Sequence, residues 1–147
     1  MKYLRLFLIA MVVTLAACSE TEEMPSERWY KGNLHTHSYW SDGDEFPEMI
    51  MDWYKSRDYQ FVALTDHNTL AEGEKWKTIA QDSIYQEGFA NYLQKFGEDW
   101  VSHRTDSASQ TQVKLKTYEE YRGLFEESGA FLILQSEEIT DQFEGKP

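Results

Sequence analysis

Two histidines separated by one residue, His35 and His37, are followed by Asp42 within Ser41-Asp42-Gly43, then by the pair Asp66-His67, and much later by Glu137-Glu138. Residues two apart on a strand project from the same face, so His35 and His37 can offer two imidazole nitrogens to one ion. Imidazole and carboxylate donors suit zinc and also manganese or iron, and a carboxylate can bridge two ions. Ions about 3.5 to 4 Å apart polarise a phosphoryl oxygen, generate a hydroxide nucleophile near neutral pH and stabilise a leaving oxygen. These residue types therefore point to a metal-dependent hydrolase. Asp66 fits better as a group that orients a ligand or the nucleophile than as a ligand itself. Of the four histidines, only His103 lies outside these segments, and it reads as a surface residue.

Each cluster sits where a strand is expected to end. Asn33 to His37, after Trp29 and Tyr30, reads as a first strand delivering its histidines at the carboxyl end, with Ser41 to Asp44 as a loop. Between Glu45 and Arg57, the apolar residues Phe46, Ile50, Trp53 and Tyr54 recur at helical spacing, and Pro47 is tolerable in a first turn. Gln60 to Thr65 is a short apolar run, read as a buried strand that ends at Asp66-His67. Strand, helix and strand make one βαβ unit. Thr117 with Glu120 matches a capping box, and Tyr118, Tyr121, Leu124 and Phe125 form the stripe of the helix that follows, with Gly129 ending it. Ala130 to Leu134 is a third buried strand, with Glu137 and Glu138 at its carboxyl end. In a parallel α/β sheet or barrel, carboxyl ends converge on one face, so the three polar clusters should meet in space.

The stretch from 70 to 116 reads as an insertion. Its aromatic residues allow one or two helices, the second within 83 to 96, followed by a polar segment from Ser102 to Gln112 that reads as a surface loop. Those aromatics could stack on a sugar ring, although a helix core is their more ordinary use.

Residues 1–17 carry Lys2 and Arg5 and then the run Leu6 to Leu15, ten uncharged and mostly apolar residues. That is the length of a signal-peptide core and too short to span a bilayer of about 30 Å as a helix. Leu15-Ala16-Ala17-Cys18 resembles the lipobox of bacterial lipoproteins, in which Cys18 becomes the lipid-bearing first residue of the mature chain. Cys18 is the single cysteine, which leaves no intrachain disulfide. Residues 18–28 read as an acidic tether, and the expected location is the bacterial cell envelope, at the membrane through the lipid anchor. Without Lys2 and Arg5 the formal net charge of −12 becomes −14, which argues against a nucleic-acid partner. Nothing in the pattern speaks to oligomeric state.

The motifs LHTHSYWSDG, ALTDHNTL and LQSEEIT together resemble the PHP family, the polymerase and histidinol phosphatase superfamily of metal-dependent phosphoesterases. The resemblance runs from Lys31 to Lys146. It implies an α/β fold, a distorted (β/α)7 TIM-like barrel, and up to three divalent ions, zinc, manganese or iron. His35 and His37 match the first motif, Asp42 its following aspartate, His67 the second motif, and Glu138 the bridging glutamate, with Glu137 the weaker candidate. The implied activity is phosphoester hydrolysis by a metal-activated hydroxide on a small phosphorylated substrate. A complete family member supplies a further histidine, then a histidine or cysteine, and an Asp-x-His pair after that glutamate. None occurs before Pro147, and a barrel usually takes about 250 residues, so residues 29–147 are expected to be the amino-terminal part of the domain, inactive alone. Two other functions use the same residues: a non-catalytic metal- or ligand-binding envelope lipoprotein, and a hydrolase of a non-phosphate ester.

Overall fold

The computed structural model describes residues 27–140. The expected signal segment, Cys18 and most of the tether therefore lie outside the described residues, as do residues 141–147. In chain order the elements are β1 (Gly32–Asn33), α1 (Pro47–Lys55), β2 (Phe61–Leu64), β3 (Trp76–Thr78), α2 (Ser83–Phe96), β4 (His103–Thr105), β5 (Thr111–Lys114), α3 (Tyr118–Phe125) and β6 (Leu132–Gln135). The fold is mixed α/β, with one parallel sheet ordered β1-β2-β6 and one antiparallel sheet ordered β3-β5-β4. No closed barrel forms among the described residues.

The expected βαβ unit is present, with shifted boundaries. β2 pairs in parallel with β1 through Gly32↔Phe61 and with β6 from Phe61↔Leu132 to Leu64↔Gln135. One sheet face buries Val62, Leu64 and Ile133 under the helices, while Leu34 and Leu132 on the other side stay exposed. α1 starts at Pro47, whose missing N–H costs nothing in a first turn, with Glu48 in that turn and Lys55 in the last, where the helix dipole favours them. Phe46 caps the helix from outside and is buried against Tyr92, their rings stacked 3.9 Å apart. Trp53, assigned to the apolar stripe, is instead half-exposed, and the Arg57 guanidinium lies over its ring at 4.1 Å. α3 carries the expected capping box, in which the Glu120 carboxylate accepts from Thr117 N–H at 2.8 Å. Tyr118, Tyr121 and Phe125 are its buried face, and the Tyr118 hydroxyl donates to the Ile133 carbonyl at 3.0 Å. Leu124 is exposed, and the helix ends at Phe125 rather than at Gly129, which takes its left-handed φ of 76° in the turn before β6.

The first strand is shorter than expected. β1 ends at Asn33, whose side-chain oxygen accepts from His35 N–H at 3.0 Å and turns the chain out of the ladder. Pairing resumes at Thr36, whose carbonyl accepts from Thr65 N–H at 2.8 Å. A local side-chain bond has displaced one stretch of ladder.

The 70–116 stretch differs most from expectation. Only one helix forms there, α2 within the expected 83–96, closed by Gly97 at a φ of 77°. The segment before it is strand β3, and the polar segment forms the β4–β5 hairpin rather than a loop. Asp106 Oδ1 accepts from Ala108 N–H at 2.8 Å and Gln110 N–H at 2.9 Å, so a side chain builds the hairpin turn. The insertion is part of the main core: Ile79, Tyr92, Val101, Val113 and Leu115 pack in one cluster with Met51, Val62 and Ile133. The aromatic residues Tyr85, Phe89, Phe96 and Trp100 pack against that cluster.

Candidate metal centre

The parallel register sets the site. β2 and β6 stop pairing at Leu64↔Gln135, yet a parallel bridge between His67 and Glu138 keeps the same alignment three residues further on. Glu138 N–H donates to the Asp66 carbonyl at 3.1 Å, and Asn68 N–H donates to the Glu138 carbonyl at 2.9 Å. Asn68 takes a left-handed φ of 50°, and its side-chain oxygen accepts from Thr140 N–H at 2.9 Å. Together these bonds lock the residues following β2 and β6 side by side, with Glu138 turned to the histidines and Glu137 exposed to solvent.

His35, His37, Asp42, His67 and Glu138 meet at the carboxyl edge of the sheet. His37 is central: its Nε2 lies 2.9 Å from Glu138 Oε2 and its Nδ1 2.9 Å from Asp42 Oδ1. His35 Nε2 approaches Glu138 Oε2 at 3.6 Å, and His67 Nε2 approaches Asp42 Oδ2 at 3.4 Å. The donors form two overlapping groups, His35, His37 and Glu138 on one side and His37, Asp42 and His67 on the other, each with ligand atoms within 4.8 Å of one another. The His35 side chain is 70% exposed and that of His37 19%, so the cluster opens to solvent on the His35 side.

Asp66 stands apart from this cluster. It is buried and accepts from Ser38 N–H at 2.7 Å, Ser38 Oγ–H at 2.7 Å and Ser41 Oγ–H at 2.6 Å. Those bonds tie the loop between His37 and Asp42 to the end of β2, so Asp66 holds both residues in place without joining the donor cluster. The same loop turns on Gly43, whose N–H donates to the Ser38 carbonyl at 3.0 Å. A Cβ at Gly43 would sit 2.4 Å from the His37 carbonyl carbon, a contact that no side chain tolerates. Ser38, Ser41, Asn68 and Thr140, whose Oγ1 is 3.2 Å from His67 Nδ1, were not singled out by sequence. The hydroxyls inside HSYWSDG were the available signal. His103 lies remote, on β4, paired with Glu98 at 2.9 Å.

Electrostatics favour a charged cluster. Burial lowers the basicity of the His37 ring, but its hydrogen bonds to Asp42 and Glu138 and their charges outweigh this, leaving its pKa above the ordinary 6.5. The hydrogen bond to His37 in turn lowers the Asp42 pKa. No lysine or arginine pairs with Asp42 or Glu138 among the described residues; their ion-pair partners are all histidines.

Comparison with protein-family models, with curated proteins and with solved structures gave no significant match. What the site can do therefore rests on its own chemistry. Three imidazoles and two carboxylates make the mixed nitrogen and oxygen set that zinc, manganese or iron accepts. With no fixed cation filling the space between the carboxylates, the donor set fits a divalent ion. Among the described residues, no helix is long and apolar enough to cross a membrane.

Proposed function

We propose that this chain carries a divalent-metal centre of the PHP kind and belongs to a metal-dependent phosphoesterase. The observation that carries the reading is the convergence of three imidazoles and two carboxylates, from three separate strand ends, on His37. His35, His37 and Glu138 would hold one ion, and Asp42 and His67 a second, with Glu138 or His37 shared. Ions there would supply Lewis-acid polarisation of a phosphoryl oxygen and a nucleophile from water near neutral pH. The protein's part is positional: Asp66 holds the His37–Asp42 loop, and the Glu138–Asn68 bonds hold the opposite wall.

On this reading the parallel sheet β1-β2-β6 is the first part of a distorted (β/α)7 barrel, since its strand order and buried parallel pairing are those a barrel wall requires. The same reading puts the protein in the bacterial cell envelope, held by lipid on Cys18. Its substrate is a small phosphorylated molecule.

The test is hydrolysis of a panel of phosphate mono- and diesters by the protein expressed from its complete reading frame, with zinc or manganese and then with chelator. Turnover of a phosphoester that chelation abolishes is the expected result. Bound metal with no turnover of any ester would favour the non-catalytic binding protein, and hydrolysis of carboxylic esters alone would favour the non-phosphate hydrolase.

A further inference from the structure

Beside the metal-ligand cluster, the insertion forms one wall of a cavity of about 360 Å³. Its lining includes Tyr39, Asp42 and Asp44 from the loop after β1, Lys77 and Thr78 from β3, and Tyr85 from α2. Asp42 belongs to both the cavity lining and the donor cluster, so the two adjoin at that residue.

Lys77 is the informative residue. Every other described lysine has a carboxylate or carbonyl partner: Lys55 with Glu127, Lys95 with Asp52, Lys114 with Glu74, Lys116 with Glu120, Lys31 with the Arg57 carbonyl and Lys75 with the Trp40 carbonyl. Lys77 has neither among the described residues. Its ammonium lies over the Tyr39 ring, 4.5 Å from the centroid, which fixes its direction while leaving its three donors unspent. Asp42 and Asp44 line the same cavity but neither pairs with Lys77, so in a chain of net charge −12 its ammonium stays available to an anion beside the donor cluster.

The other polar side chains of the lining carry hydroxyls and carboxylates, beside Gly43, Ile79 and Ala80. The Tyr85 hydroxyl donates to Asp44 Oδ1 at 3.3 Å, and Asp44 and Thr78 are exposed, with oxygen lone pairs left over for hydroxyl donors. Thr78 Oγ1 also accepts from Gln112 Nε2 at 3.3 Å, and a hydroxylated carbon skeleton can replace water on the remaining lone pairs where a bare hydrocarbon cannot.

We propose that this cavity is the substrate subsite and that it takes a phosphorylated polyol or sugar, with Lys77 binding the phosphoryl group and Asp44 and Thr78 the hydroxyls. The proposal rests on the metal-centre reading, because only ions at Asp42 offset its charge enough for an anion to approach. It gives the insertion a role in specificity.

The test is calorimetric titration of the zinc-loaded chain with glucose 6-phosphate, inorganic phosphate and hexyl phosphate. Glucose 6-phosphate should bind tightest. K77M should weaken it and inorganic phosphate alike by about tenfold or more, the size of a lost charge-assisted hydrogen bond, with K77R largely retaining them. D44N should weaken glucose 6-phosphate alone. Zinc affinity should be unchanged in all three variants, which shows that the centre itself is intact. If K77M leaves both ligands unaffected, or hexyl phosphate binds as well as glucose 6-phosphate, the subsite is refuted while the metal centre stands. If the chain takes up no zinc, both proposals fall.

Discussion

The central strand β2 of the parallel sheet is wholly apolar and meets polar residues only beyond its end, whereas the antiparallel sheet β3-β5-β4 spreads polar residues along its strands. In the first, apolar Val62, Ala63 and Leu64 run unbroken until Thr65 and Asp66, so interior and site are separated along the chain. In the second, His103, Arg104 and Thr105 are all exposed, and only Val113 of β5 is fully buried. The lesson is that a buried parallel strand announces its functional end, while a thin hairpin over a core resembles a loop in sequence. The two regions also divide the labour: one aligns candidate metal ligands, the other closes the core and flanks the site.

That division can be broken by mutation, and the largest effect is expected at its centre. His37→Ala removes the residue shared by both donor groups, and divalent-metal affinity should fall by more than about 100-fold with little change in melting temperature. Competition with a zinc-sensitive dye measures it, and near-wild-type affinity would mean that the ligand set is wrong.

Where α1 meets the insertion the expected effect is on stability instead. Glu48 is buried; its Oε1 accepts from the Tyr92 hydroxyl at 2.6 Å and Trp100 Nε1–H at 2.7 Å, while Oε2 has no partner. Glu48→Ala orphans two donors and should cost about 2–4 kcal/mol in urea denaturation, with metal affinity unchanged. Burial pushes the Glu48 carboxyl above its ordinary 4.5, partly countered by the Tyr92 and Trp100 bonds. A raised folded value means that its contribution to stability is complete below 4.5 and is lost as pH rises through the folded pKa, and Glu48→Gln should flatten that slope. An unchanged pH profile in that variant would place the dependence elsewhere.

Asp66→Asn sharpens the comparison at an intermediate scale. It keeps the shape of the side chain but weakens the anchor of the ligand loop, and should lower metal affinity about 10- to 100-fold. Acidification acts on the same site: the raised His37 pKa means that a proton competes with metal from above pH 6.5 downward, so affinity measured between pH 8 and 6 should fall with proton release on binding. His103→Ala, which breaks the surface pair with Glu98 and an edge contact with the Phe89 ring at 5.4 Å, should change stability by less than about 1 kcal/mol and affinity not at all.

Much of the convergence was legible in the sequence: His67 and Glu138 follow apolar runs whose ends a parallel sheet brings together, and His35 and His37 stood out by their spacing. Of Glu137 and Glu138, it is Glu138 that lies beside the histidines, where the bridge to His67 holds it. The mixed α/β class, α2 and the Thr117 capping box were legible for similar reasons of period and cap chemistry. Two features were not. β1 stops at Asn33 because an amide side chain competes with the ladder for His35 N–H, a local exchange that period-two reading misses. The β4–β5 hairpin was hidden because Asp106 supplies its turn bonds and its strands bury almost nothing.

The central claim is that five residues from three strand ends form one metal centre. Native mass spectrometry of the chain after zinc loading and desalting tests it most directly. The account predicts at least one zinc ion per chain, lost in His37→Ala and kept in His103→Ala. Wild-type chain carrying no more zinc than the His37→Ala variant would contradict it.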